Sequence, residues 1–491
     1  MLLGNSIRRR WISIFAAAIL TLLMIFETGV LTHADTMIPD NLQMTVDGER
    51  SGTVRAINAS YLNNCYISLR DAAVLLSGTS CQFNVDITGG TIAIKTGEGY
   101  SDEYSHSGFS EEALSQYSGA DPATNPLTVN EEEKRYFTML VNLGDHFDCF
   151  ISPMVLAMIL DVGFDMDENG IIVNTSEGFN INPAKMESYG FFDGVNSVIA
   201  GDATTGEIFY GHNPDEAQPI ASTTKLMTYL LTMDAVSAGK ITLDDKVTIS
   251  AEAARLSATQ DGTVPLAQGW EIPVSELILG ALLPSSNECA LSLAEYVGGS
   301  EEEFVNMMND KAKELSMTTA EFYNSNGLPI YTDTIIPAKK QNKMSGRDMF
   351  KLCSHIVNTY PQVKEITSLK RARMETLNKE LKNTNGLLYN LSEVSGLKTG
   401  TTDKSRACLV TSVSVQAGDG MHDLIVVTLG AENSQSRLEV SELMARYAMN
   451  VINGRAAKVS YALNGEEEET DNKITAESII KMVVDHALDS K

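Results

Sequence analysis

Three short polar motifs, far apart and in a fixed order, constrain this chain more than its composition does. Ser222-Thr223-Thr224-Lys225 comes first, Ser285-Ser286-Asn287 second and Lys398-Thr399-Gly400 third. The first opens a run, Leu226 to Ala235, that holds no Pro or Gly and is apolar at helical spacing. That spacing predicts a helix opened by Ser222. Residues three apart share a helix face, so Ser222 Oγ and Lys225 Nζ meet at its N-terminal end. A serine hydroxyl is a weak nucleophile until a neighbouring base takes its proton, and a partly desolvated amine is such a base. Taken alone, the same residues also read as an N-cap serine beside a snorkelling lysine. The second motif alone reads as an Asn N-cap after Pro284, and the third as a strand ended by a turn. The ordered triple argues against all three plain readings together.

SxxK, SxN and KTG in this order form the signature of the penicillin-recognising serine enzymes. The surrounding text resembles one branch, the serine-type D-alanyl-D-alanine carboxypeptidases, which are low-molecular-mass penicillin-binding proteins. The matching phrases are Ile199-Ala-Gly-Asp-Ala-Thr-Thr-Gly206, Ala281-Leu-Leu-Pro-Ser-Ser-Asn287, Phe322-Tyr-Asn-Ser-Asn-Gly-Leu328 and Gly396-Leu-Lys-Thr-Gly-Thr-Thr-Asp403. The resemblance covers roughly 186–453 and implies an α+β fold of the penicillin-binding-protein/β-lactamase transpeptidase type: an antiparallel sheet flanked by helices, with a helical lobe. It also implies hydrolysis of stem peptides ending in D-Ala-D-Ala through a Ser222 ester, with β-lactams as acylating inhibitors.

Roles follow residue by residue. Ser222 is the nucleophile and Lys225 the group that takes its proton. Ser285 relays a proton to the leaving amine between Lys225 and Lys398, and Asn287 holds Lys225 and the substrate backbone. Lys398 sets a positive charge near the substrate carboxylate, Thr399 adds a hydroxyl donor, and Gly400 completes the motif. The resemblance further implies an oxyanion hole from the backbone N–H groups of Ser222 and Thr401. Arg437 stands where the family has an arginine for the terminal carboxylate. One departure is Ser286, where the carboxypeptidases usually carry glycine; its hydroxymethyl is expected to narrow the cleft or alter substrate preference.

The formal net charge of −27 argues against nucleic acid or an anionic membrane as partner. The six cysteines (Cys65, Cys81, Cys149, Cys289, Cys353 and Cys408) form no CxxC pair, and the seven histidines no HExxH. Neither a metal nor another cofactor is implied, and a Ser-His-Asp hydrolase is disfavoured. Arg8-Arg9-Arg10, the apolar run Trp11 to Phe26 and the small residues around Thr32-His33-Ala34 give residues 1–34 the layout of a secretory signal peptide. The alternative is an uncleaved anchor, the one route to membrane contact. Either way the chain is expected to be exported and to work at the cell wall.

Residues 35–180 repeat. Cys65-Tyr-Ile-Ser68 is echoed by Cys149-Phe-Ile-Ser152, Leu69 to Leu76 by Pro153 to Leu160, and a hairpin follows each. The two units are expected to pack as one smaller α+β domain. It resembles the copper-amine-oxidase N-terminal-like (stalk) domain, without implying copper, and suggests a spacer or wall-contact role. Cys65 and Cys149 are expected to be equivalent core residues rather than a disulfide. The region 97–134, rich in Ser, Gly, Asp and Glu, reads as a mobile loop. Asn180 to Ala184 reads as a linker. The remainder, 454–491, is an acidic tail with Glu466 to Glu469 and a weak amphipathic stretch, so no membrane-docking role is carried over.

Other readings share these residues. A D,D-endopeptidase would differ only in cleft shape. A β-lactamase of class A needs a water-positioning Glu loop, and no ExxLN-like stretch lies between Asn287 and Lys398. A non-catalytic wall-binding protein would not need the full set of catalytic side chains.

Overall fold

The computed structural model describes residues 37–59, 64–101, 126–142, 147–167, 169–188, 190–259, 261–331, 339–418 and 420–459. The signal-like segment 1–34 and the tail beyond 459 lie outside them.

At the centre is a five-stranded antiparallel sheet in the order Glu207–His212, Ser197–Asp202, Gly420–Ala431, Arg406–Ala417, Val394–Thr402. Strands from both ends of this region meet because helices are inserted between them. Side chains alternate across a strand. Ile425, Val427 and Leu429 therefore face a core shared with the helices, whereas Leu424 and Val426 face the opposite core. On the first face lie Gly346–Thr359 and a lobe built from Lys225–Ser237, Val274–Leu282, Asn287–Gly298 and Glu301–Glu314. On the second lies the long helix Ser434–Ile452. Sheet, flanking helices and lobe make the expected α+β fold.

The N-terminal part contains the two echoing units. Each runs strand, helix, hairpin: Asn64–Ser68, Leu69–Leu76, Phe83–Thr88 and Thr91–Thr96; then Phe147–Ile151, Pro153–Leu160, Gly163–Asp167 and Gly170–Asn174. Their first strands pair antiparallel, Ile67 opposite Ile151 and Ser68 opposite Phe150. Neither cysteine faces the other in that register, and all six thiols are free. The seam is closed by a buried ion cluster. Arg55 reaches Asp71 at 2.8 Å and Asp148 at 2.7 Å, and the Ser68 hydroxyl donates to Asp148 at 2.7 Å.

The copies differ in where their hairpins go. The second joins a seven-stranded sheet beside Met37–Val46. The first starts a separate four-stranded sheet completed by Leu127–Val129 and Glu132–Lys134. The expected loop 97–134 is thus strand at its end, because Leu127 and Val129 alternate inward into the core. Its middle, 102–125, is not among the described residues.

The stretch read as a linker is packed as well. Phe179 and Ile181 are buried in one apolar core with the N-terminal sheets, the central sheet and the helix Ser434–Ile452. Asn450 Nδ2 donates to the Phe179 carbonyl at 2.8 Å, and Asn180 Nδ2 to that of Arg455 at 2.8 Å. A spacing of Asn and Pro marked a boundary in sequence. Phe179 and Ile181, on either side of Asn180, made it part of the core.

Candidate active site

Ser222 does not begin the α-helix as its spacing predicted. It sits on a 3-10 turn, Ala221–Thr224, that leads into Lys225–Ser237. A 3-10 turn has three residues per turn, so positions i and i+3 eclipse. Ser222 and Lys225 are therefore aligned more directly than on an α-helix, with Nζ 2.9 Å from Oγ. No side-chain cap bond closes that helix, which removes the plain N-cap reading. The turn begins at Ala221 with φ +47°, a region costly for a residue with a Cβ. Two glycines allow it. A Cβ on Gly327 would lie 2.0 Å from the Ala221 carbonyl oxygen, and one on Gly400 would lie 3.0 Å from the Ser222 nitrogen.

Lys225 is fully buried and makes three contacts. Besides Ser222, Nζ donates to Asn287 Oδ1 at 2.8 Å and to the Asn326 carbonyl at 2.9 Å. Burial pulls its pKa from 10.5 down to about 7, against the opposing field of Glu288. Much of the amine is thus unprotonated at neutral pH while still held against the serine.

Asn287 is the first residue of Asn287–Gly298 and is locked from its other end, Nδ2 donating to the Asp261 carbonyl at 2.9 Å. Ser286 caps that helix. It is buried and accepts from the Cys289 N–H at 3.0 Å. The hydroxymethyl expected to narrow the cleft thus points into the protein, where it satisfies a helix end. Ser285 is half-buried with φ +67°, and its hydroxyl has no hydrogen bond among the described residues. The bridge expected through that hydroxyl between Lys225 and Lys398 is not among the lysines' contacts.

Lys398 is buried on the edge strand Val394–Thr402, its Nζ donating to the Thr399 carbonyl at 2.9 Å. Burial, and then the charges of Lys225 and Arg437, hold its pKa well below the usual lysine value. Arg437 is buried in the first turn of Ser434–Ile452. Its Nη1 lies 3.3 Å from Thr401 Oγ1, and its Nε has no partner. Burial lowers its pKa too. Three basic side chains, Lys225, Lys398 and Arg437, thus converge on one cleft of a chain whose formal charge is −27. The local field is opposite to the global one and favours an anion.

Several contributors were not singled out from sequence. The carbonyls of Asn326 and Asp261 hold Lys225 and Asn287. Buried Glu288 accepts the N–H groups of Thr263 (2.9 Å) and Val264, tying a loop to the second motif. Backbone acceptors carry no residue signature, so nothing in the side-chain pattern marks them. Glu288 had one signal: it directly follows Asn287.

A serine and a buried lysine paired at the lobe's first helix, beside an edge strand bearing Lys-Thr-Gly, define the penicillin-recognising class of serine enzymes. Residues 194–433 match the family D-alanyl-D-alanine carboxypeptidase. The D-alanyl-D-alanine carboxypeptidase DacF of Bacillus subtilis is 34% identical over 246 residues, which is 50% of this chain and 59% of that one. DacD of Escherichia coli is 31% identical over 257 residues, 52% and 62%. A D-alanyl-D-alanine endopeptidase of Escherichia coli is 30% identical over 220 residues, 44% and 65%. The chain spans about three-fifths of the length of the first two relatives. A crystal structure of PBP3 from Streptococcus pneumoniae, described as a peptidoglycan synthesis regulatory factor, is 31% identical with a TM-score of 0.48. It covers 52% of this chain and 73% of that one. Among the described residues no group of His, Cys, Asp and Glu is placed to hold a metal, and no helix is long and apolar enough to cross a membrane.

Proposed function

We propose that the chain is a serine D-Ala-D-Ala carboxypeptidase that removes the terminal D-alanine of peptidoglycan stem peptides. The observation that carries this reading is the 2.9 Å contact between Ser222 Oγ and a buried Lys225 amine whose pKa is about 7. Neutral Lys225 accepts the hydroxyl proton as Oγ attacks the penultimate carbonyl. The N–H groups of Ser222 and Thr401 receive the developing oxyanion, consistent with the close approach of Gly400 to the Ser222 nitrogen. The proton passes to the departing D-alanine amine through Lys225 or Ser285, and the peptidyl ester on Ser222 is hydrolysed. Lys398, Thr399 and Arg437 hold the terminal carboxylate, the anion that the basic groups beside the cleft favour. β-Lactams enter by the same attack and remain as esters.

On this reading the catalytic domain spans 186–453 and the duplicated unit spans 35–180, while 1–34 directs export to the cell wall. The test uses the exported chain and a peptide ending in Lys-D-Ala-D-Ala, with Ser222→Ala as control. Free D-alanine from the unmodified protein alone is expected. Equal release from the alanine variant would sink the assignment of Ser222. A D,D-endopeptidase is the second reading, motivated by the 30% identical relative of that name; it would instead release cross-linked dimers into monomers and leave the short peptide intact.

A further inference from the structure

One polar segment outside the three motifs touches the third, bonds to the chain just ahead of the second, and leads into a short helix that touches the N-terminal unit. Asn383, Thr384 and Asn385 run between the second and third motifs. The Thr384 N–H donates to the carbonyl of Leu283 at 3.1 Å, just ahead of Pro284-Ser285. Its hydroxyl lies 2.5 Å from that of Thr399. Asn385 Nδ2 donates to the Gly396 carbonyl at 3.3 Å, and Asn383 Nδ2 to that of Thr367 at 2.9 Å. Thr384 thus links the chain entering Ser285 to the strand carrying Lys398 and Thr399.

The same segment is gripped from behind. It continues into the short helix Leu387–Asn390, whose Leu387 and Leu388 are buried in the core shared with the N-terminal sheets. The Asn390 side-chain amide pairs with the backbone of Arg135: Oδ1 accepts from its N–H at 2.7 Å, and Nδ2 donates to its carbonyl at 3.3 Å. Asn390 also donates to Glu442 at 3.2 Å, and the Tyr136 hydroxyl donates to the same carboxylate at 2.7 Å. The Arg135 guanidinium lies 4.6 Å from the Tyr389 ring centre and the Lys370 ammonium 4.5 Å, both within cation–π reach.

We propose that residues 383–390 form a positioning strap: Thr384 sets the spacing of the Ser285 and Thr399 hydroxyls across the cleft, and the N-terminal unit fixes the strap through Arg135 and Tyr136. The duplicated unit is then part of the catalytic apparatus rather than a spacer. The inference rests on the reading of Ser222 as nucleophile, and the experiment separates the two. Second-order acylation by a fluorescent penicillin, and the melting temperature, are measured on the exported full chain and on Thr384→Val, Thr384→Ser, Asn390→Ala and the Thr384→Val/Asn390→Ala pair.

Loss of one working hydrogen bond predicts acylation roughly fivefold slower in Thr384→Val. Thr384→Ser should stay within about twofold of the unmodified chain, and neither change should lower the melting temperature by more than a few degrees. Asn390→Ala, far from any reacting atom, should slow acylation roughly threefold, and the pair should be slower than Thr384→Val by much less than that factor. If Asn390→Ala does not fold, Tyr136→Phe keeps the ring and loses one bond, with the same expectation. Acylation of Thr384→Val at the unmodified rate would overturn the role of Thr384. Full acylation of Asn390→Ala, or losses that simply multiply, would overturn the part given to the N-terminal unit. No acylation of the unmodified chain would overturn the nucleophile assignment itself.

Discussion

The pH dependence of acylation follows directly from the burial of Lys225. The reactive form carries a neutral amine, and the pKa of that amine is about 7 rather than 10.5. About 1% of the enzyme is then reactive at pH 5, half at pH 7 and about 90% at pH 8, so the rate should rise roughly a hundredfold from pH 5 to a plateau above pH 8. The same shift carries a stability cost with a definite sign. The folded-state pKa lies below the unfolded one, so between about pH 7 and 10.5 the unfolded chain binds more protons and stability rises with pH. The fall from 10.5 to about 7 corresponds to roughly 5 kcal/mol when Lys225 would otherwise be fully protonated. About 2 kcal/mol of that should be recovered between pH 7 and pH 9. Stopped-flow acylation measures the first quantity. Urea unfolding of the unmodified chain against Lys225→Met, at both pH values, isolates the second from other titrating groups. A rate flat from pH 5.5 to 7.5, or still climbing with a midpoint near 10, would refute the role of burial in preparing this base.

Three other outcomes are expected. Ser286→Gly should leave KM for the short peptide unchanged and cost only a few tenths of a kcal/mol in urea unfolding, since glycine is itself a tolerable N-cap and Ser286 faces away from the cleft. Arg437→Gln should raise KM for a peptide with a free terminal carboxylate by roughly tenfold, the scale of one charge-assisted hydrogen bond, and leave acylation by a penicillin ester lacking that carboxylate nearly unchanged. Calorimetry of the whole chain should give one unfolding transition, because the N-terminal sheets and the central sheet share a core; two well-separated transitions would contradict that packing.

Much of the site was legible because the chemistry depends on side-chain type at fixed separations. Ser222 and Lys225 could be paired from their spacing and Asn287 with Lys225 from the resemblance that the ordered motifs carry, and they meet at 2.9 and 2.8 Å. The fold followed from the resemblance that the motifs and their flanking phrases carry, and the repeat from a matching phrase of four residues with the segments after it. What was hidden depends on tertiary contact. The 3-10 turn under Ser222 is held by Gly327 and Gly400, which reach it from elsewhere in the chain. Ser286 was read by its size, whereas its direction is set by the helix it caps. The hairpin Leu127–Val129 and Glu132–Lys134 was masked by polar composition, since only two inward residues carry its burial.

The long helix Ser434–Ile452 explains why the N-terminal unit is docked rather than tethered. A helix covering one side of a sheet normally keeps a polar face for water. Here Val440, Leu443, Met444 and Tyr447 are buried, and so are Arg437, Glu439, Glu442 and Asn450. Glu442 stands on the side away from Val440 and Met444, so the sheet alone cannot bury it. Glu442 takes hydrogen bonds from Tyr136, Asn390 and Arg446, and Asn450 gives one to Phe179. Removing the N-terminal unit would leave that carboxylate with fewer donors and expose the apolar surface now facing Tyr136, Phe179 and Ile181. Arg437 lies in the first turn of this helix beside Thr401, so the element that seats the N-terminal unit also seats the arginine proposed to hold the substrate carboxylate. A free spacer has no reason to bury the helix that aims Arg437; a brace does.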